Sequence, residues 1–148
     1  MGSHALMQKI PAAGKGAFVM RIMGVDPGYA IVGIGLLDYD NVRFSLVEYG
    51  AITTPAELPF ETRLRQIYDD MTELLTRYRP DAVAMEQLFF TTNRTTAIAV
   101  AEARGVLLLA AEQQGVPVFS YTPLQVKSAV VGYGNAEKEQ VMEMTRRL

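Results

Sequence analysis

The sequence contains no cysteine, and its single histidine, His4, lies near the N terminus. The first absence excludes a disulfide framework and a thiolate metal site. The position of His4 effectively excludes histidine catalysis and histidine metal ligation. No apolar run is long enough to cross a bilayer, so we expect no membrane contact. These absences fit a cytoplasmic protein, and that is the location we expect.

The sequence also lacks a large net charge of either sign. The 148 residues carry a formal net charge of −2, with 49% hydrophobic and 20% charged residues, which describes an ordinary globular protein. The length predicts one domain with a proper core. Residues 1–19 show no periodicity, and we interpret them as an expression tag or disordered leader before a single domain at residues 20–148.

Two short apolar runs in this sequence each end in an acid. The first is Met20–Asp26, and Asp26-Pro27-Gly28 then turns the chain before another apolar run. The second is Asp81–Glu86, which follows the helix-ending Pro80. Both runs have the composition of buried strands. Open α/β sheets build their sites at the carboxyl ends of such strands, so both acids are candidates for a site.

The order of the elements predicts an α/β fold. Three strands, a helix, a strand, a helix, a strand and further helical segments form the order of a ribonuclease H-like fold. We expect a five-stranded mixed sheet, three strands antiparallel and two parallel, flanked by helices. The predicted strands are Met20–Asp26, Ile31–Asp38, Val42–Thr53, Asp81–Glu86 and Val116–Tyr121, and the predicted helices are Phe60–Tyr78, Asn93–Gln114, Pro123–Val131 and a segment from Ala136 onward.

Side-chain spacing predicts how the two main helices pack. In the first helix the apolar residues at 3- and 4-residue spacing form one face, with the charged residues opposite. The apolar face is Leu64, Ile67, Met71, Leu74, Leu75 and Tyr78, and the charged face is Arg63, Arg65, Asp69, Asp70 and Glu73. In the second helix we expect Gly105 to allow a close packing contact.

Asp26 and Glu86 emerge side by side if their strands are parallel neighbours. Two carboxylates about 4 Å apart repel by about 1 kcal/mol in water, so a proton or a cation is needed between them. Oxygen ligands alone suit Mg²⁺, and two such ions can activate water and stabilise the leaving oxygen of a phosphodiester. Taken singly, Asp26 could equally cap a turn, and Glu86 could equally end a strand in solvent.

The Asp26-Pro27-Gly28 turn, with Gly33 and Gly35, has a rival interpretation. Sugar kinases and actin- or Hsp70-like ATPases also begin with Asp-x-Gly and a hairpin, which cradle phosphate. Those proteins need a second domain to close over the nucleotide. A chain of 148 residues has no room for one, which disfavours an ATPase.

Four separated motifs resemble the RuvC family of bacterial Holliday junction resolvases, and the resemblance extends over essentially all of Met20 to Leu148. The motifs are Asp26-Pro27-Gly28, Glu86-Gln87-Leu88-Phe89, Ala103-Arg104-Gly105-Val106, and Gln125-Val126-Lys127 continuing to Lys138. The resemblance implies a structure-specific endonuclease that resolves four-way DNA junctions in recombination and repair. It would do so by paired symmetric nicks through metal-dependent phosphodiester hydrolysis.

The resemblance also implies the roles of residues near the acids. Asp26 and Glu86 would be catalytic metal ligands, with two Mg²⁺ per subunit and Mn²⁺ as a substitute. Phe89 would be the aromatic residue inserted at the crossover, where stacking on an unpaired base contributes about 1–3 kcal/mol. Phe90 would be a further DNA contact. Core packing of both phenylalanines remains the alternative.

The same resemblance implies roles for the basic residues. Lys127 would be a catalytic residue near the scissile phosphate, and Lys138 would contact DNA from the first turn of the last helix. Spacing alone favours a solvated surface lysine at both positions, and the resemblance reverses that preference. Asn93, Arg94 and Arg104 are weaker candidates for DNA contact.

Partners follow in part from symmetry. A four-way junction has two-fold symmetry, so symmetric nicking predicts a C2 homodimer, with its interface on the first helix or on Asn93–Gln114. The resemblance implies RuvA and RuvB as further partners. It also implies a further acidic pair beyond Leu148, so we expect this chain to bind junction DNA but to cleave it poorly.

Two alternatives remain open. One is a related ribonuclease H-like nuclease that acts on structured RNA, against which Phe89 and the Lys127/Lys138 pair count. The other is a non-catalytic DNA-binding module, which the missing acidic pair favours.

Overall fold

The fold is described from a computed structural model, which describes residues 19–88 and 94–122. The helical segments predicted at Pro123–Val131 and from Ala136 onward therefore lie outside the described residues. The same holds for almost all of the predicted leader at residues 1–19.

Five strands form one mixed sheet in the order β3-β2-β1-β4-β5. β1 pairs antiparallel with β2, and β2 pairs antiparallel with β3, whereas β1–β4 and β4–β5 are parallel pairs. This is the predicted mixed sheet. The strands are β1 (Met20–Asp26), β2 (Ile31–Tyr39), β3 (Phe44–Thr53), β4 (Ala82–Glu86) and β5 (Val118–Tyr121), and the helices are α1 (Phe60–Tyr78) and α2 (Arg94–Gln113).

The two described helices cover one face of the sheet. Alternate strand residues point into this core, for example Met23 and Val25 of β1 and Val83 and Met85 of β4. Burial of this apolar surface is the main favourable contribution to the stability of the fold. The core residues that the helices contribute are Ile67, Met71 and Leu75 from α1 and Ala103, Leu107, Ala110 and Ala111 from α2.

Hydrogen bonds at two turns explain why β3 and β5 begin later than predicted. Asp40 Oδ1 accepts from the backbone N–H groups of Val42 and Arg43, both at 2.9 Å, so the β2–β3 turn extends to Arg43. The end of α2 is closed by the N–H of Val116, which donates to the Ala111 carbonyl at 3.0 Å. Pro117 follows and has no N–H to give to a ladder. The remaining boundaries differ from prediction by a residue at most.

The prediction that Arg63 lies on the solvent face of α1 is wrong. Its exposed fraction is only 8%. Arg63 stands four residues before Ile67, on the same stripe of the helix as the core, and its guanidinium finds polar partners at the edge of the sheet. Its Nε donates to Thr54 Oγ1 at 2.9 Å, and its Cζ lies 5.0 Å from the ring centroid of Tyr29.

The expected close contact at Gly105 is also absent from the described part of the chain. A β carbon built at Gly105 would meet no atom within 4 Å among the described residues. Gly105 is exposed on the outer side of α2, because Ala103 and Leu107 hold the buried side.

The start of β1 is held by Arg21. Its Nε and Nη2 donate to Asp38 Oδ1 and Oδ2 at 2.8 and 2.9 Å, and its Nη1 donates to the Tyr78 carbonyl at 3.2 Å. Asp38 raises the pKa of Arg21 by this hydrogen bond and by its charge. The backbone N–H of Arg21 also donates to Asp81 Oδ2 at 2.7 Å. Arg21 thereby joins β1, β2, the end of α1 and the residue before β4.

Candidate active site

Asp26 and Glu86 lie at the carboxyl ends of two adjacent parallel strands. The β1–β4 ladder pairs Val25 with Met85, and the next residue on each strand is one of the two acids. Both acids line the same cavity. The structure therefore brings together the two carboxylates that the sequence predicted to be neighbours.

The two carboxylates interact electrostatically. The pKa of Glu86 is raised above its usual range, first by burial, then by the charge of Asp26 and by a hydrogen bond with the Asp26 side chain. Two neighbouring carboxylates repel each other when both are ionised, and a bound proton or cation relieves this repulsion. The pair therefore has an electrostatic preference for binding positive charge.

The cavity beside the acids is shallow and has a floor of small residues. Its volume is about 370 Å³. Gly24, Gly33, Gly35 and Ala84 line it, together with Tyr121 of β5. Since β5 pairs Tyr121 with Glu86, the two side chains lie on the same face of the sheet.

The turn after Asp26 has little conformational freedom. A β carbon built on Gly28 would lie 2.2 Å from the carbonyl oxygen of Ile31, so no other residue fits this turn without a shift of backbone. The N–H of Thr54 donates to the Ala30 carbonyl at 3.0 Å, and the Thr54 hydroxyl donates to the Tyr29 carbonyl. The end of β3 thus fastens the turn that follows Asp26.

The donor set of the site fits a hard divalent cation. Carboxylate oxygens without cysteine or histidine suit Mg²⁺ and Mn²⁺. The described residues include no group of three or more His, Cys, Asp or Glu side chains that could hold a metal ion. In the described part of the chain, Asp26 and Glu86 are therefore a pair of acids and not a complete ligand shell.

The predicted basic candidates have different surroundings. Arg94 is exposed and begins α2. The Nη2 of Arg104 donates to Ser120 Oγ on β5 at 2.9 Å, and its buried Nε has no hydrogen-bond partner among the described residues. The other predicted candidates lie outside the described residues, namely Phe89, Phe90, Asn93, Lys127 and Lys138.

The sequence does not predict the positions of two residues, Tyr121 opposite Glu86 and Arg63 against the turn after Asp26. The pattern predicts Tyr121 as the last residue of a parallel strand, and that position lies at the same edge of the sheet as both acids. For Arg63, the charge of the side chain favours the solvent face. The sequence feature that indicates burial of Arg63 is its spacing of four, eight and twelve residues from Ile67, Met71 and Leu75. This spacing places Arg63 on the buried face of α1 despite its charge.

Within the residues that the structure describes, neither helix has the combination of length and apolar composition that a bilayer crossing requires.

A mixed sheet of this order, with acids at the ends of its adjacent parallel strands, is typical of ribonuclease H-like nucleases. Comparison with known proteins narrows the class. The family model described as crossover junction endodeoxyribonuclease RuvC matches residues 22–148. The chain therefore belongs to the RuvC family.

Individual relatives agree with this family. The chain is 56% identical over 129 residues to the RuvC crossover junction endodeoxyribonuclease of Brevibacillus brevis, covering 87% of this chain and 78% of the relative. Its fold is similar to that of Thermus thermophilus RuvC in complex with a Holliday junction substrate. The TM-score is 0.82 at 37% identity, over 86% of this chain and 78% of the other.

A more distant structure supports the fold alone. The yeast mitochondrial Holliday junction resolvase Ydc2 matches with a TM-score of 0.64 at 13% identity, over 86% of this chain and 61% of the other. The ribonuclease H-like fold predicted from the order of elements is confirmed.

Proposed function

We propose that this chain is an endonuclease that resolves four-way DNA junctions by paired symmetric nicks, with Asp26 and Glu86 as acids of its active site. The observation that carries the assignment of the acids is their position at adjacent carboxyl ends of β1 and β4, with the pKa of Glu86 raised partly by Asp26. Family membership supplies the reaction class.

The two carboxylates would hold a divalent cation, Mg²⁺ in our proposal, with two ions per subunit and Mn²⁺ as a substitute. Bound there, the metal supplies Lewis-acid activation of water and stabilises negative charge on a phosphodiester. The residues of the chain have separate tasks. Asp26 and Glu86 bind the ion in their ionised forms, and the small residues of the cavity floor leave room for the sugar-phosphate backbone to approach.

The DNA-contacting residues extend from this site. We assign junction contact to Phe89 and Phe90, which follow β4 shortly after Glu86 in sequence, and charge stabilisation near the scissile phosphate to Lys127. Lys138 contacts DNA in the same proposal. A planar aromatic side chain so close in sequence to the acids suits stacking on an unpaired base.

Of the weaker candidates, Arg94 is the better placed for DNA, because it is exposed. Arg104 already donates to Ser120, which gives it a role in joining α2 to β5. Asn93 precedes Arg94 in sequence and remains a proposed DNA contact.

We further propose a C2 homodimer in the cytoplasm that works with RuvA and RuvB. Ile98 and Leu109 of α2 are 61% and 51% exposed, and the exposed Gly105 lies between them on the same side of the helix. An apolar stripe with a glycine at its centre allows two helices to approach closely. This supports α2, rather than α1, as the interface.

Cleavage assays on matched substrates test the proposal. A labelled four-way junction, a linear duplex of the same sequence and a structured RNA are incubated with the intact gene product over a Mg²⁺ titration. We expect Mg²⁺-dependent paired nicks in the junction alone. Asp26→Asn and Glu86→Gln should bind the junction and lower the nicking rate by at least 100-fold, as expected for a residue essential to electrostatic stabilisation.

The matched control is Asp69→Asn, which removes an exposed carboxylate of α1 whose partner is Arg65, at 3.7 Å. It should cleave as the unmodified chain does. Preferential RNA cleavage would support the ribonuclease alternative, and junction binding without nicks at any Mg²⁺ concentration would support the non-catalytic module.

A further inference from the structure

We propose that Arg63 is a positioning residue for the metal site. It acts through Thr54 and Tyr29 to fix the turn that follows Asp26, and so sets the orientation of the Asp26 carboxylate. This inference rests on the proposed function, in which Asp26 binds the metal.

Arg63 is unusual for its surroundings. It lies on the buried stripe of α1 with an exposed fraction of 8%, and Thr54, to which it donates, is 7% exposed. Burying a guanidinium is costly, and a well-packed apolar residue at a buried ion site often gives equal or better stability. Stability alone is therefore a weak reason for an arginine here.

Its first link to the turn is a hydrogen-bond relay. Arg63 Nε donates to Thr54 Oγ1 at 2.9 Å, and Thr54 Oγ1 donates in turn to the carbonyl of Tyr29. A hydroxyl has one proton to give. By occupying an acceptor position on that oxygen, Arg63 directs the proton toward Tyr29.

Its second link is through the ring of the same residue. The Arg63 guanidinium lies over the Tyr29 ring at 5.0 Å, and the edge of that ring packs against Phe60 at 5.9 Å between centroids. Both the carbonyl and the ring of Tyr29 are thus held from α1 and the end of β3.

The short connection to the acid transmits this restraint. Only two residues separate Tyr29 from Asp26, and both are stiff. Pro27 has a fixed φ, and Gly28 is so close to the Ile31 carbonyl that a β carbon would not fit. A shift at Tyr29 therefore moves the end of β1, where Asp26 must meet Glu86.

The chain offers a matched control at the opposite end of β1. Arg21 also forms a polar anchor, with bonds of 2.8 and 2.9 Å to Asp38. It is far along the strand from Asp26. If Arg63 only stabilises the fold, then losing either arginine should affect the metal site equally.

Mn²⁺ binding without DNA, followed by the electron paramagnetic resonance signal of free Mn²⁺, tests the inference on the full chain. The variants are Arg63→Met, Arg63→Lys, Thr54→Val, Arg21→Met and Asp26→Asn, each shown to be folded by circular dichroism at the assay temperature. We expect Arg63→Met and Thr54→Val to weaken Mn²⁺ binding roughly tenfold, the low end for loss of a residue that orients a metal ligand. Arg21→Met should stay within about twofold of the unmodified chain on the same scale.

Arg63→Lys separates charge from geometry, because lysine keeps the positive charge but lacks the planar donor group. It should weaken Mn²⁺ binding as Arg63→Met does. If Arg63→Met unfolds, Arg63→Lys and Thr54→Val carry the test by themselves.

Two results overturn the inference while leaving the proposed function intact. One is unchanged Mn²⁺ binding in the folded Arg63 and Thr54 variants while Asp26→Asn loses it, and the other is an equal loss in Arg21→Met. Equal binding by Asp26→Asn and the unmodified chain is a different outcome, because it removes Asp26 as a metal ligand and the inference with it.

Discussion

Gly33 lies directly across the β1–β2 ladder from Asp26. A β carbon built on Gly33 would approach the Asp26 Cβ to 3.3 Å and its Oδ2 to 3.9 Å. The first distance is tighter than most contacts of this kind, so an added methyl group must displace the Asp26 side chain by a few tenths of an ångström. The space left by the missing side chain of Gly33 is thus part of the geometry of the acid.

Gly33→Ala should therefore reduce the rate of junction cleavage, by roughly tenfold, because small displacements of a catalytic group are costly. Gly35→Ala is the matched control, two residues along the same strand and on the same cavity floor. A β carbon built there meets nothing within 4 Å among the described residues, so cleavage should be unchanged. Single-turnover rates at saturating Mg²⁺ measure both variants. Equal rates in the two would contradict the close relation of Gly33 to Asp26.

The raised pKa of Glu86 predicts a stability effect with a definite sign. Its folded pKa lies above its unfolded one, so its favourable contribution is present below the unfolded value, about 4.3, and is lost as pH rises through the folded pKa. Without metal at pH 7, Glu86→Gln should raise the free energy of unfolding by about 0.5 kcal/mol, a small amount because solvent screens this partly exposed group.

Urea unfolding of the two proteins across the pH range checks this effect. The difference should vanish in acid, where Glu86 is already protonated. Saturating Mg²⁺ should reverse the order of stability at pH 7, because the ion binds the carboxylate and not the amide. A Glu86→Gln variant that is less stable than the unmodified chain at pH 7 without metal would count against the electrostatic description of the pair.

The Arg21–Asp38 pair predicts a coupling energy. Arg21→Met leaves the largely buried Asp38 without its partner, and should cost about 1–3 kcal/mol of the free energy of unfolding. Asp38→Leu added to that variant should recover part of the loss, because no unpaired charge then remains. A double-mutant cycle by urea unfolding measures the coupling, and additive effects would show that the bidentate geometry contributes nothing.

The sequence was most informative where local patterns decide structure. The bounds of α1 follow from its strong apolar periodicity, with Pro80 just beyond its end. The end of β1 follows from Asp26-Pro27-Gly28, and the parallel pairing of β4 and β5 follows from the helical crossover between them. These features predict from the sequence alone that Asp26 and Glu86 lie together.

Features that depend on distant partners could not be predicted. The burial of Arg63 depends on Thr54 and Tyr29, which reach it only through the fold. The late start of β5 depends on how Val116 closes α2, a competition that strand propensity does not describe. Tyr121 enters the site only through its ladder position opposite Glu86.

Anomalous scattering from crystals soaked in Mn²⁺ tests the central claim most directly, namely that Asp26 and Glu86 share a divalent ion. The account predicts a peak with a carboxylate oxygen of each residue within about 2.0–2.3 Å, a coordination distance for such an ion. It predicts no peak at this position in Asp26→Asn crystals soaked in the same way. A peak bound to only one of the two carboxylates, or no peak at Mn²⁺ concentrations that support junction cleavage, would contradict it.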